Sequence, residues 1–144
     1  TTNDGMGAYI ARKTVQMMIK QGKDVSKSKV LVMGATFKEN VEDIRNSKVA
    51  DVINELKNFS VNIDIVDPHA DSDELHHEYG FRLTPQDNIG SDYDAVIVAV
   101  SHKPYTEKDE AYFKSITAEQ AVLVDIKGLF REKIKGQELH YWSL

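Results

Sequence analysis

Three short stretches of this acidic chain carry side chains that could handle an anion. Lys38 and Arg45 lie in a polar segment that follows the apolar run KVLVM. His102 and Lys103 follow a second apolar run, AVIVAV, and Lys127 closes a third, VLVDI. A lysine ammonium acts as a compact point charge, whereas an arginine guanidinium offers a planar fork that matches phosphate or carboxylate. His102 is the candidate hydrogen-bond donor among them. Two readings of these residues stay open. They form one cationic site, or they are solvated surface lysines beside an Arg45–Asp43 ion pair, since exposed charge is the ordinary condition.

The elements around these residues decide whether they can meet. Lys29–Met33 is a mostly β-branched run of the kind buried in a parallel sheet. It turns at Gly34, passes through the polar segment and enters a helix capped by Asn46 or Ser47. There Val49, Val52, Ile53 and Leu56 fall at i, i+3, i+4 and i+7. Upstream, residues 5–21 read as a helix with Asn3 or Asp4 at its N-cap and Gly22 as its stop. Its apolar residues cover more than half of the circumference, which fits a helix between two layers or against something this chain lacks.

Downstream, VNIDIV (61–66) is a second strand closed by Asp67-Pro68, and residues 71–79 form a short helix ending at Gly80. Residues 81–83 are a candidate short strand. Ala95–Val100 is the most apolar strand and is expected at the centre. Residues 101–105 read as a loop and 107–115 as a weak helix. Thr117–Gln120 reads as an isolated turn before a strand at 122–125, and residues 139–142 as an edge strand. Alternating strands and helices at this spacing imply right-handed crossovers. The expected fold is a single small doubly wound, Rossmann-like α/β domain: a parallel sheet of four or five strands with helices on both faces. In such a fold ligands bind beyond the carboxyl ends of the strands, where all three stretches lie.

Composition narrows the classes. The chain has 144 residues, 41% hydrophobic and 28% charged, enough for one ordinary core. A net charge of −5 disfavours nucleic acid and acidic membranes as partners. There is no cysteine, hence no disulfide, thiolate metal site or cysteine nucleophile. No apolar run approaches the roughly 20 residues of a membrane span, so a cytoplasmic protein is expected. The first residue is Thr1, which fits a piece of a longer chain.

Three chemistries find little support. GATFKEN is not the G-x-G-x-x-G of a dinucleotide fingerprint, so NAD is not expected in this domain, and Asp67 reads as a strand-end residue opening a turn rather than as a ribose ligand. His69, Asp71, Asp73, His76, His77 and Glu78 crowd one segment without metal-ligand spacing and read as a solvated acidic helix. Ser101, His102 and Asp125 supply the residue types of a hydrolase triad, but no G-x-S-x-G elbow accompanies them.

The segment GATFKENVEDIRNSKVADVINEL resembles the signature of the C-terminal domain of the UDP-glucose/GDP-mannose dehydrogenases, G-x-x-F-K followed by D-x-R-x-S opening a helix. Gly34, Phe37, Lys38, Asp43, Arg45 and Ser47 match it. Asn3-Asp4-Gly5-Met6, Asp67-Pro68, Asp125-Ile126-Lys127-Gly128 and Tyr141-Trp142 agree in order, so the resemblance covers essentially the whole chain. The wording at both ends is most similar to the branch that oxidises UDP-N-acetylhexosamines for surface polysaccharide.

The resemblance implies an enzyme of three parts: an N-terminal NAD-binding domain, a central helical dimerisation region and a C-terminal UDP-sugar-binding domain. Such enzymes oxidise a C6 alcohol to a carboxylate with NAD⁺, through a cysteine that lies upstream of the matched region. It implies that residues 1–22 end the central connecting helix and that 23–144 form the UDP-sugar-binding domain. Without a cysteine or G-x-G-x-x-G, this piece is expected to be inactive alone and to need the missing domains, with a homo-oligomer expected at full length. By the same resemblance Phe37 and Lys38 belong to the nucleotide pocket and Lys127 contacts the UDP part, while Arg45 either binds ligand or pairs with Asp43. The alternative is a non-catalytic nucleotide- or anion-binding module.

Overall fold

The computed structural model describes residues 5–35, 48–68, 70–136 and 138–144. Five strands form one wholly parallel sheet: β1 (Lys29–Met33), β2 (Asn62–Val66), β3 (Tyr93–Val98), β4 (Thr117–Asp125) and β5 (Leu139–Ser143), in the order β2-β1-β3-β4-β5. The chain leaves β1 toward one edge and, after β2, returns past β1 to build toward the other. The direction therefore reverses between β1 and β3, and a crevice opens there at the carboxyl ends.

The helices are α1 (Met6–Lys20), α2 (Lys48–Asn58), α3 (Ser72–Tyr79), the single turn α4 (Lys103–Thr106) and α5 (Glu110–Ile116). The period-2 alternation of the strands divides the core. Val30, Val32, Ile65, Ala95, Ile97, Val122 and Val124 face α1 and α2. Leu31, Met33, Val96, Val98 and Leu123 face the opposite way and meet Tyr105, Phe113 and Phe130. Helices thus cover both faces, as the sequence predicts. On α1, Ile10, Ala11, Val15 and Met18 are buried, whereas Met6, Tyr9 and Ile19 are exposed. The wide apolar girdle is thus half used within the chain. Among the described residues no helix is long and apolar enough to cross a membrane.

Several boundaries differ from the sequence reading, each for a local reason. β3 starts two residues earlier and ends at Val98. Its partner β1 stops at Met33, and the last rung between them is the Ala99 N–H to the Met33 carbonyl at 2.9 Å. The expected turn at 117–120 is instead the start of β4. α5 passes straight into the strand at Thr117, which pairs with Tyr93, and the surplus residues are absorbed by an irregularity in register with Gln120 at φ 54°. Residues 81–83 are not a strand. The Thr84 N–H donates to the Ile65 carbonyl (2.7 Å), and Thr84 Oγ1 accepts from the Ile65 N–H (3.2 Å), so this stretch caps the exposed edge of β2. α4 arises where a loop is predicted because Pro104 occupies its first turn, a position where a missing N–H costs nothing. The helix before Gly22 and the one before Gly80 stop as expected, each glycine at positive φ (76° and 85°). The N-cap position of α1 is taken by Gly5, without a side-chain cap bond, rather than by Asn3 or Asp4; those two residues, and the caps Asn46 and Ser47 expected for α2, lie outside the described residues.

Candidate functional site: the carboxyl edge of the sheet

Four strands end flush. Val66, Met33, Val98 and Asp125 stand in one row of the sheet. One rung continues beyond each pair: the Gly34 N–H donates to Val66 O (2.8 Å), Ala99 to Met33 O (2.9 Å) and Ile126 to Val98 O (3.0 Å). The loops after β1, β2, β3 and β4 therefore leave from a common line.

Two aspartates fix where those loops go. Asp67, the residue after β2, accepts the Ala70 N–H on Oδ1 at 2.8 Å and the Ala35 N–H on Oδ2 at 2.6 Å. His102 Nε2 lies 3.2 Å from the same Oδ2, and neither side chain has exposed surface. Against an ionised carboxylate that nitrogen must carry the hydrogen. His102 is also the N-cap residue of α4 and meets the Tyr105 ring edge-on at 5.7 Å. The buried Asp125 accepts the Leu129 N–H at 3.0 Å and the Phe130 N–H at 2.8 Å, and the Tyr141 hydroxyl donates to it as well. Hydrogen bonds to a charged acceptor are each worth roughly 1.5–3 kcal/mol, and leaving such a buried group unmatched costs more. Burial and the facing Asp125 push the Tyr141 hydroxyl's pKa upward. Burial, with Asp67 nearby, does the same to Tyr105, whose hydroxyl donates to Val66 O at 3.2 Å.

Gly34 sits at φ 103°, and a Cβ there would lie 2.9 Å from the Val100 side chain. The glycine serves close approach of the β1 turn to β3. Asp67 is turned inward onto backbone amides.

The candidate residues divide as follows. Lys127 is exposed on the turn that Asp125 anchors, and Lys103 is exposed on α4. His102 reaches the same edge but with its ring buried against Asp67. Phe37, Lys38, Asp43 and Arg45 lie outside the described residues. An apolar cleft of about 290 Å³ opens beside this edge between Met33, Val66, Pro68, Pro104, Tyr105 and Tyr112. Ser101, His102 and Asp125 make no triad. His102 faces Asp67, while Asp125 is bonded to its own turn and to Tyr141. In the acidic segment Asp71 caps α3 through the Glu74 N–H (3.0 Å) and Asp73 pairs with Arg82 (2.7 Å). Among the described residues no cluster of His, Asp and Glu is placed to hold a metal, and His69 lies outside them. The anchoring parts of Asp67 and Asp125 were not read from the sequence. The only signal was an aspartate closing each apolar run.

Comparison with known proteins agrees with this architecture. Residues 31–132 match the model of the UDP-glucose/GDP-mannose dehydrogenase family, UDP binding domain. The chain is 40% identical over 126 residues to a UDP-N-acetyl-D-glucosamine 6-dehydrogenase of Salmonella typhi, an alignment covering 87% of this chain and 29% of the relative. It is 37% identical to the Pseudomonas aeruginosa protein of the same name, covering 90% and 31%. Against Protein CapL of Staphylococcus aureus it is 34% identical, covering 99% and 33%. Among solved structures, an NDP-N-acetyl-D-galactosaminuronic acid dehydrogenase from Methanosarcina mazei superposes with a TM-score of 0.85 at 21% identity, covering 98% of this chain and 29% of that one. The S. aureus UDP-N-acetyl-mannosamine dehydrogenase Cap5O gives 0.71 at 25% identity, covering 98% and 31%. The chain thus spans about a third of the length of the curated relatives it matches. It belongs to the UDP-glucose/GDP-mannose dehydrogenase family, as that family's UDP-binding domain.

Proposed function

We propose that this chain is the UDP-sugar-binding part of a longer NAD-dependent UDP-sugar 6-dehydrogenase, which oxidises a C6 alcohol to a carboxylate in the making of polysaccharide precursors. The observation that carries the reading is the row of strand ends at which buried Asp67 holds the Ala35 amide, just ahead of the family's motif segment, and buried Asp125 holds the turn that bears Lys127. Phe37, Lys38, Arg45 and Lys127 face the nucleotide in this reading, and His102 lies buried at the same edge against Asp67. A diphosphate needs cations, and a uracil needs an apolar wall of the kind that Pro68, Pro104 and Tyr105 offer. Residues 1–22 end a central helix, and the exposed Met6 and Tyr9 on α1 suit a contact with the remainder of the enzyme. NAD⁺ is bound by a part outside this chain, the assembled enzyme is a cytoplasmic homo-oligomer, and the 144 residues alone do not turn over.

Thermal unfolding with UDP, a UDP-N-acetylhexosamine and NAD⁺ tests this. A ligand at a hundred times its dissociation constant adds about 2.7 kcal/mol of stability. The expected result is stabilisation by UDP and the UDP-sugar and none by NAD⁺. Stabilisation by NAD⁺ alone would overturn it. Stabilisation by inorganic pyrophosphate equal to that by UDP would favour a general anion-binding module.

A further inference from the structure

We propose that Asp67 and His102 are positioning residues: a buried carboxylate–imidazole pin that sets the take-off of the β1–α2 connection, so that nucleotide affinity depends on a pair lying behind the ligand. The inference rests on the UDP-binding reading above. Its geometric basis is independent of that reading.

One carboxylate gathers three consecutive strand ends. Oδ2 receives the Ala35 N–H, the first amide after Gly34 on the β1 side, and Oδ1 receives the Ala70 N–H on the β2 side. His102 reaches Oδ2 from the β3 side. Among the described residues these donors come from three separate segments: Ala35 and His102 lie 32 and 35 residues from Asp67, and Ala70 lies 3 away. The Ala35 contact, at 2.6 Å, is the shortest of the three, which is where a charge-assisted bond is strongest. Gly34, just before Ala35, sits at φ 103°, and a Cβ there would lie 2.9 Å from the Val100 side chain, so β1 turns close against the end of β3 at this point. His102 is held in turn: it opens α4 and its ring is clamped by Tyr105, whose hydroxyl is tied back to Val66 O. Both side chains of the pair are fully buried. A buried pair of this kind acts on the ligand through the loops it fixes, and small displacements of a positioned group weaken binding and chemistry disproportionately.

The test uses the 144-residue chain with Asp67→Asn, His102→Phe and His102→Gln. Asparagine keeps the size of Asp67 but turns one acceptor into a donor facing donors. Phenylalanine keeps the ring packing on Tyr105 and removes the nitrogen. Glutamine restores an N–H near the place of Nε2. Calorimetry with UDP and amide hydrogen exchange at Ala35 are read together. Asp67→Asn and His102→Phe are expected to weaken UDP binding on the order of tenfold and to speed exchange at Ala35, with His102→Gln returning both toward wild type. Folded Asp67→Asn or His102→Phe binding UDP within twofold of wild type would overturn the proposal. So would His102→Gln behaving like His102→Phe, since packing alone would then explain the ring. If Asp67→Asn does not fold, the two His102 variants decide. If wild type does not bind UDP, the function reading fails, and exchange at Ala35 alone decides the pin.

Discussion

The two ends of the one sheet treat their carboxylates differently. At the amino edge, aspartates meet lysines: Lys23 Nζ lies 2.9 Å from Asp94 Oδ1 and Lys29 Nζ 3.0 Å from Asp92 Oδ1. These pairs are partly solvated; the first ties the connector after α1 to β3, and the second ties β1 to the residue just before β3. At the carboxyl edge Asp67 and Asp125 are fully buried and accept backbone amides of the loops that follow. An ion pair between flexible side chains tolerates movement, whereas a buried carboxylate with several fixed donors admits one loop geometry. The amino edge is scaffold, and the carboxyl edge holds its loops in register at the end of the sheet where folds of this class bind ligands.

The contrast can be broken most forcefully at Asp125. Asp125→Ala orphans the Leu129 and Phe130 N–H groups and the Tyr141 hydroxyl. It should cost roughly 3–5 kcal/mol in denaturant unfolding. A loss below about 1 kcal/mol would mean that the turn holds itself.

Next in size is an alkaline effect on the amino half. Tyr93 is buried, its hydroxyl donates to Asp64 Oδ2 at 2.7 Å, and its pKa is pushed up from 10.0 to about 12 by burial first and by Asp64 second. The folded state keeps this proton after the unfolded chain has lost it. The contribution is fully present below pH 10, and stability falls from there to about pH 12, at up to about 1.4 kcal/mol per pH unit. Tyr93→Phe should flatten that slope in unfolding measured from pH 9 upward. An unchanged slope would assign it to the other raised tyrosines, Tyr105, Tyr112 and Tyr141.

Smaller still is Lys23→Met, which removes the bonds to Asp94 and to the Glu119 carbonyl. It should cost about 1 kcal/mol and leave UDP affinity unchanged. A larger loss of affinity than of stability would erase the distinction between the edges.

Much of this fold is legible in the sequence because its strands are short β-branched runs and its α2 follows a strict 3.6 period; the local chemistry and the tertiary one coincide there. β4 is less so, since its pairing with β3 extends the strand back through Thr117–Gln120, where the local sequence reads as an isolated turn. The candidate site is legible in another way. Lys38, Arg45, His102 and Lys127 stand out by residue type and by position after apolar runs, and Phe37 by resemblance alone. What joins the site is not local. Asp67 and His102 are 35 residues apart and Asp125 and Tyr141 are 16 apart, and single side chains finding each other across a sheet leave no periodic trace. Asp67 before a proline reads as a turn, and only the structure shows which amides it holds.

The most direct measurement is a UDP titration of the ¹⁵N-labelled chain followed by amide chemical shifts. Binding at the carboxyl edge predicts that the largest changes fall at Ala35, at Ala99 to His102 and at Lys127 to Leu129, with residues 23–29 and 92–94 at the opposite edge undisturbed. Changes concentrated at the amino edge would contradict the account.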